Sequence, residues 1–203
     1  MLTGGSDPLT YISRIIILVM AISVHEFAHA LTANWLGDPT PRSQGRLTLD
    51  PRRHLDPFGS IMFLIAGFGW GKPVPVNEAY LRVGGWRGMA LVSLAGPVSN
   101  IVAASLFSVP LRAGAVGSTT QGHAVFSGTG ADIAAYVLVS LVFWNLLLAA
   151  FNLLPVAPLD GFKIALGVLP PEAACRFACT DRRDGSERVP RSRTSTRSWP
   201  SPD

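Results

Sequence analysis

The chain has 203 residues, enough for one domain and hardly for two. Of these, 48% are hydrophobic and 15% charged, with a mean hydropathy of +0.34, whereas soluble domains carry about 25% charged residues; an ordinary soluble enzyme is excluded, and so is disorder over most of the length. The net charge of +4 owes much to seven arginines from Arg176 to Arg197, and the only cysteines, Cys175 and Cys179, lie in that same tail, so no nucleic-acid partner is expected and no disulfide framework holds the body together.

Burial in a membrane is the remaining source of stability. A hydrocarbon core of about 30 Å needs about 20 mostly apolar helical residues. The first window that qualifies runs from Tyr11 to Leu36, apolar except for Arg14 and a polar group at His25, Glu26, His29, Thr32 and Asn34. A signal peptide is set aside here, because no basic residue precedes Arg14. Next comes Pro57 to Gly71, apolar and rich in glycine but only 15 residues long, too short to span. Gly88 to Leu111 follows without a single charge, and then Ile133 to Leu154, whose amides are Asn145 and Asn152.

Cytoplasmic loops collect Lys and Arg. Arg42, Arg46, Arg52 and Arg53 precede the short apolar stretch, and Lys72, Arg82 and Arg87 follow it, whereas Ala113 to Ala131 contains neither Lys nor Arg. Both flanks of residues 57–71 therefore belong on the cytoplasmic side, and the stretch reads as a re-entrant or interfacial element. The expected fold is an all-α polytopic membrane protein with three transmembrane helices at about 11–36, 88–111 and 133–154, one re-entrant element and small extended connectors. Residues 1–171 form the membrane core and 172–203 a basic, disordered cytoplasmic tail.

His25, Glu26 and His29 form an H-E-x-x-H group. On a helix, positions i and i+4 share a face, so two imidazoles reach one metal while the glutamate approaches its water. Ionisable groups at lipid depth are costly unless paired or metal-bound, which makes function their default reading. Catalytic zinc takes three protein ligands, and the third is sought far along the chain. His54 and Asp56 sit in a basic loop, His123 in the outer connection, and Asp132 at the outer end of the last span. Asp160 follows Pro155 and Pro158 at the inner end, where a broken helix lines protein or a wet cavity. A carboxylate there suits a metal; it also suits a helix N-cap before Gly161 to Leu169.

These residues resemble the site-2 protease family of intramembrane zinc metalloproteases, in its compact bacterial form. The likeness rests on His25 to His29, on Asn152 through Pro155 to Asp160 and Gly161 as an N-x-x-P-x-x-x-x-D-G motif, on Ala95-Gly96-Pro97-Val98-Ser99-Asn100, and on the connecting segments Arg46 to Asp56 and Gly69 to Asn77. The resemblance implies one zinc ion held by His25, His29 and Asp160, with Glu26 as general base toward a zinc-bound water. It implies Asn100 and Asn152 as groups that stabilise the oxyanion or orient a ligand, interhelical hydrogen bonding being the other reading of both. It implies transmembrane protein substrates cut within the bilayer in a regulatory pathway, at a cell-membrane site opening toward the cytoplasm. Gly96 and Pro97 read as packing and kink residues, and Lys72 to Asn77 as either a strand-pairing edge for an unwound substrate or a rigid connector. Family members continue past the Asp-Gly motif with a further hydrophobic span. This sequence turns instead into an Arg, Ser and Pro tail, read as a lipid-touching segment or, by preference, a truncated product. A catalytically inactive homologue acting as a membrane binding protein is the alternative.

Overall fold

The computed structural model describes residues 8–56, 58, 59, 62, 71–114, 130–170, 172–174, 176 and 177. The expected re-entrant stretch, the outer connection with His123, and the tail with its two cysteines fall wholly or largely outside these residues, as does the side chain of Asp132.

Three apolar runs become three long helices. The described helices are α1 (Pro8–Trp35), α2 (Thr40–Ser43), α3 (Pro51–His54), α4 (Gly85–Arg112), α5 (Gly130–Asn152) and α6 (Asp160–Val168), with a 3₁₀ turn over Glu78–Tyr80. Among the described residues there is no strand, only an isolated antiparallel bridge from Leu55 to Gly71. Ile12–Trp35, Gly85–Arg112 and Ile133–Asn152 are each long and apolar enough to cross a membrane. The all-α fold is thus as expected, and the third span stops two residues short of the expected Leu154. Pro155 is the reason: it lacks an N–H and disfavours helical backbone at the residue before it.

The exposure pattern is inverted relative to a soluble bundle. Large apolar side chains such as Met20, Leu106, Val109, Phe143 and Leu147 point outward, while Ser23, His25, His29, Ser93, Asn100 and Asn145 are buried between helices. Such an arrangement is stable where the surroundings are lipid, since every interior polar group must then find a protein partner. Even Arg14, in the first span, meets Tyr136 of the third, with Nε 3.2 Å from the hydroxyl oxygen.

Helix α4 is central, lying against α1, α5 and α6. It contains Pro97 and Pro110, so Pro97 donates nothing to the carbonyl of Ser93. Just past the end of α1 stands Gly37, whose φ of +108° is open to glycine and strained for other residues; Asp38 N–H then bonds back to the Ala33 carbonyl at 3.0 Å. The fully buried Asp38 carboxylate accepts from Thr40 N–H at 2.9 Å and from Asn77 N–H at 2.7 Å. Those bonds tie the end of the first span to the extended segment 72–77, which runs back along the cavity described next.

Candidate metal centre

One turn of α1 separates His25 from His29, and their rings meet edge to face with centroids 4.6 Å apart. Asp160 arrives from the far end of the chain. Beyond α5 the backbone turns tightly, with Val156 N–H bonded to the Leu154 carbonyl at 2.8 Å and Leu159 N–H to the Val156 carbonyl at 2.9 Å. Gly161 permits α6 to begin there, because a Cβ at that position would overlap the carbonyls of Leu153 and Leu154. Asp160 does not cap α6. Leu159 holds the cap position with no side-chain bond, and the Asp160 carboxylate turns away to the imidazoles. Its Oδ2 lies 3.0 Å from His25 Nε2 and 3.1 Å from His29 Nε2.

The protons in this cluster follow from its neighbours. His29 Nδ1 lies 2.7 Å from the backbone carbonyl of Val92, which can only accept, so Nδ1 carries the hydrogen. His25 Nδ1 lies 2.7 Å from Asn100 Oδ1, while the Asn100 amide nitrogen faces the Ala21 carbonyl and Asn145 Oδ1; this histidine too donates from Nδ1. In the neutral rings both Nε2 atoms are then bare lone pairs facing a carboxylate. One ligand atom from each of the three residues lies within 4.8 Å of the others, and a set of lone pairs without hydrogens between them fits a cation. Two imidazoles with one carboxylate is a donor set that suits zinc.

Asp160 lies beyond the last span. Burial pushes its carboxyl upward; when the site holds protons in place of a cation, hydrogen bonds from the Nε2–H groups of His25 and His29 and the charge of those rings outweigh that and hold it well below the usual carboxylate range. The carboxylate is therefore ionised, as a metal ligand must be.

The cluster forms one wall of a cavity of about 570 Å³ lined also by Glu26, Gly71, Val74, Met89, Phe151, Asn152 and Lys163. Glu26 Oε2 accepts a 3.2 Å hydrogen bond from Val74 N–H, so the extended segment 72–77 sits directly beside it. Asn152 lines the cavity and spends one amide hydrogen on the Leu148 carbonyl at 3.0 Å, leaving a second. Asn100 is placed differently: it is fully buried, behind His25, and faces no part of the cavity. His54 is also fully buried, its Nε2 2.7 Å from the Thr48 carbonyl, and Asp56 accepts from Gly59 N–H at 2.9 Å; neither joins the cluster.

Two features escape a reading of the sequence, and a third, Gly96, is read there only as a packing residue. The Val92 carbonyl is main chain and has no sequence signal. Asn145 shows itself only as an amide in an otherwise uncharged span. Gly96 is the floor of the site: a Cβ there would stand 2.5 Å from His29 Cε1 and Nε2 and 2.6 Å from His25 Cε1.

Fold and site together define a multi-pass membrane protein whose polar interior gathers two histidines and an aspartate able to bind a metal. No family model and no solved structure matches the chain. Among proteins of known sequence, "Putative zinc metalloprotease YwhC" of Bacillus subtilis (strain 168) is 44% identical over 166 residues, which are 81% of this chain and 73% of that protein. "Putative zinc metalloprotease Rip2" of Mycolicibacterium smegmatis (strain ATCC 700084 / mc(2)155) is 34% identical over 174 residues, and Rip2 of Mycobacterium tuberculosis (strain ATCC 25618 / H37Rv) 33% over 173. The chain spans 62% of the length of each Rip2 protein. It belongs to the site-2 protease family of zinc metalloproteases.

Proposed function

We propose that the protein is an intramembrane zinc endopeptidase that hydrolyses peptide bonds in transmembrane segments of other proteins, with its site opening toward the cytoplasm. The observation that carries this reading is the convergence of His25, His29 and Asp160 beside Glu26 on one cavity wall, with the two histidines and Glu26 inside a helix long enough to cross a membrane. His25, His29 and Asp160 would hold the zinc, which would supply Lewis-acid chemistry, polarising the scissile carbonyl and acidifying the attacking water. Glu26 takes a proton from the attacking water and hands it to the leaving amine nitrogen. Asn152, with one amide hydrogen still to donate, faces the developing oxyanion. His29 is held by a main-chain carbonyl and His25 by Asn100, so neither ring needs to reorient as charge develops.

The direct test uses the full chain, purified and reconstituted with a single-span model substrate. Cleavage stops when a chelator strips the metal and returns with added zinc; cleavage that persists in metal-free protein overturns the proposal.

The extended segment 72–77 serves this chemistry as an edge for the unwound substrate, and its Val74 N–H steadies the general base. Val74→Pro removes that N–H. Turnover is expected to fall about tenfold or more, the scale of a lost hydrogen bond to a charged group, measured as cleavage rate at equal zinc content. Unchanged turnover in both Val74→Pro and Val76→Pro removes the segment from the mechanism.

A further inference from the structure

Asn145 lies within the apolar third span and is almost fully buried. Its amide nitrogen donates to the Leu141 carbonyl one turn back at 2.7 Å, and its Oδ1 accepts from Asn100 Nδ2 of α4 at 2.8 Å. Asn100 gives its other amide hydrogen to the Ala21 carbonyl of α1 at 3.3 Å and presents Oδ1 to His25 Nδ1 at 2.7 Å. The main-chain carbonyls at Leu141 and Ala21 can only accept, so both amides are held with nitrogen toward them. A single direction then satisfies every contact: His25 donates to Asn100, Asn100 to Asn145, Asn145 to Leu141. The two imidazoles are therefore oriented by different means. His29 leans on the main chain of α4, which no side-chain replacement removes, whereas His25 depends on two amides contributed by two other helices.

We infer that Asn145 is a positioning residue for the metal centre: acting from the third span through Asn100, it holds His25 as the Nδ1–H tautomer with its Nε2 lone pair turned to Asp160. This deepens the metal-centre reading and rests on it. Partners of a ligand's second ring nitrogen set ligand orientation and basicity, and their loss lowers metal affinity by about 10- to 100-fold. Without Asn145 the Asn100 amide keeps one carbonyl to guide it and loses the other, so its oxygen is no longer committed to His25. An interhelical hydrogen bond that only joined α4 to α5 predicts something else, a change in melting temperature and none in zinc affinity.

Zinc affinity is measured on the detergent-purified full chain by competition with a chromophoric chelator, alongside the melting temperature of the metal-free protein. Asn145→Leu, of similar volume, is expected to bind zinc about tenfold more weakly. Asn100→Leu is expected to lose at least as much, and the double variant no more than Asn100→Leu alone, because one residue acts through the other. Wild-type affinity in Asn145→Leu, or losses that add in the double variant, overturns the inference. Asn145→Ser is read by the same criteria if the leucine variant does not fold. His29→Ala separates the two claims. If it binds zinc as well as wild type, the metal-centre reading fails; if it binds poorly while Asn145→Leu matches wild type, the relay alone fails.

Discussion

Glu26→Gln is expected to abolish hydrolysis while leaving the metal in place. The replacement is close to isosteric, and its carbonyl oxygen still accepts from Val74 N–H, so the wall of the cavity keeps its shape. What disappears is the ability to take a proton from water and return it to the leaving nitrogen, worth about 10²- to 10⁴-fold in rate for a positioned general base. His25, His29 and Asp160 are untouched, and the zinc content of the purified variant should equal that of wild type by elemental analysis. The paired measurement matters. Lost cleavage with lost zinc would point to a disturbed site, and processing of a model substrate at the wild-type rate would end the assignment of Glu26 as base and, with it, the protease reading.

A second large effect is expected at a residue with no side chain. Gly96→Ala places a methyl group 2.5 Å from two atoms of His29 and 2.6 Å from His25 Cε1, far inside van der Waals contact. Neither ring can retreat freely, since His29 is bonded to the Val92 carbonyl and His25 to Asn100. Overpacking of this kind costs about 1–3 kcal/mol of stability. Displacing the ligands by about 1 Å is expected to cut activity about 10²-fold, with zinc affinity falling alongside. Gly85→Ala is the control: on the same helix, a Cβ at that position meets nothing within 4 Å, and both affinity and cleavage should match wild type. Equal behaviour of the two variants would show that the close approach at Gly96 does not govern the site.

Much of this architecture is legible in the residues. The three spans are runs of apolar side chains, and a length criterion alone places them to within a few positions. Their ends are written by breakers: Gly37 after α1, Pro155 after α5. The polar pair on α1 is visible because helical spacing puts positions 25 and 29 on one face, and because charge at lipid depth demands a partner. Asp160 is harder, since a residue following Pro158 reads equally as a cap or as a ligand. Local geometry could not choose between those roles; the structure turns the carboxylate away from its own helix end toward α1. Asn100 carried a signal of its own, an amide in an uncharged span, but whether it faced the cavity or the back of a histidine depended on how α4 is rotated against α1.

The sequence by itself determined that this is a membrane protein with an H-E-x-x-H helix and a distant acidic partner, because composition, helical period and chain-breaking residues act over a few neighbours and need no fold to be read. Only the tertiary structure decided which atoms meet: the glycine under both imidazoles, the main-chain carbonyl that orients one ring, and the amide pair that orients the other. Those contacts join residues 45 to 75 positions apart, through angles set by how whole helices rest on one another. No short-range rule encodes such angles, since they follow from the combined packing of every side chain along the interfaces of α1, α4, α5 and α6.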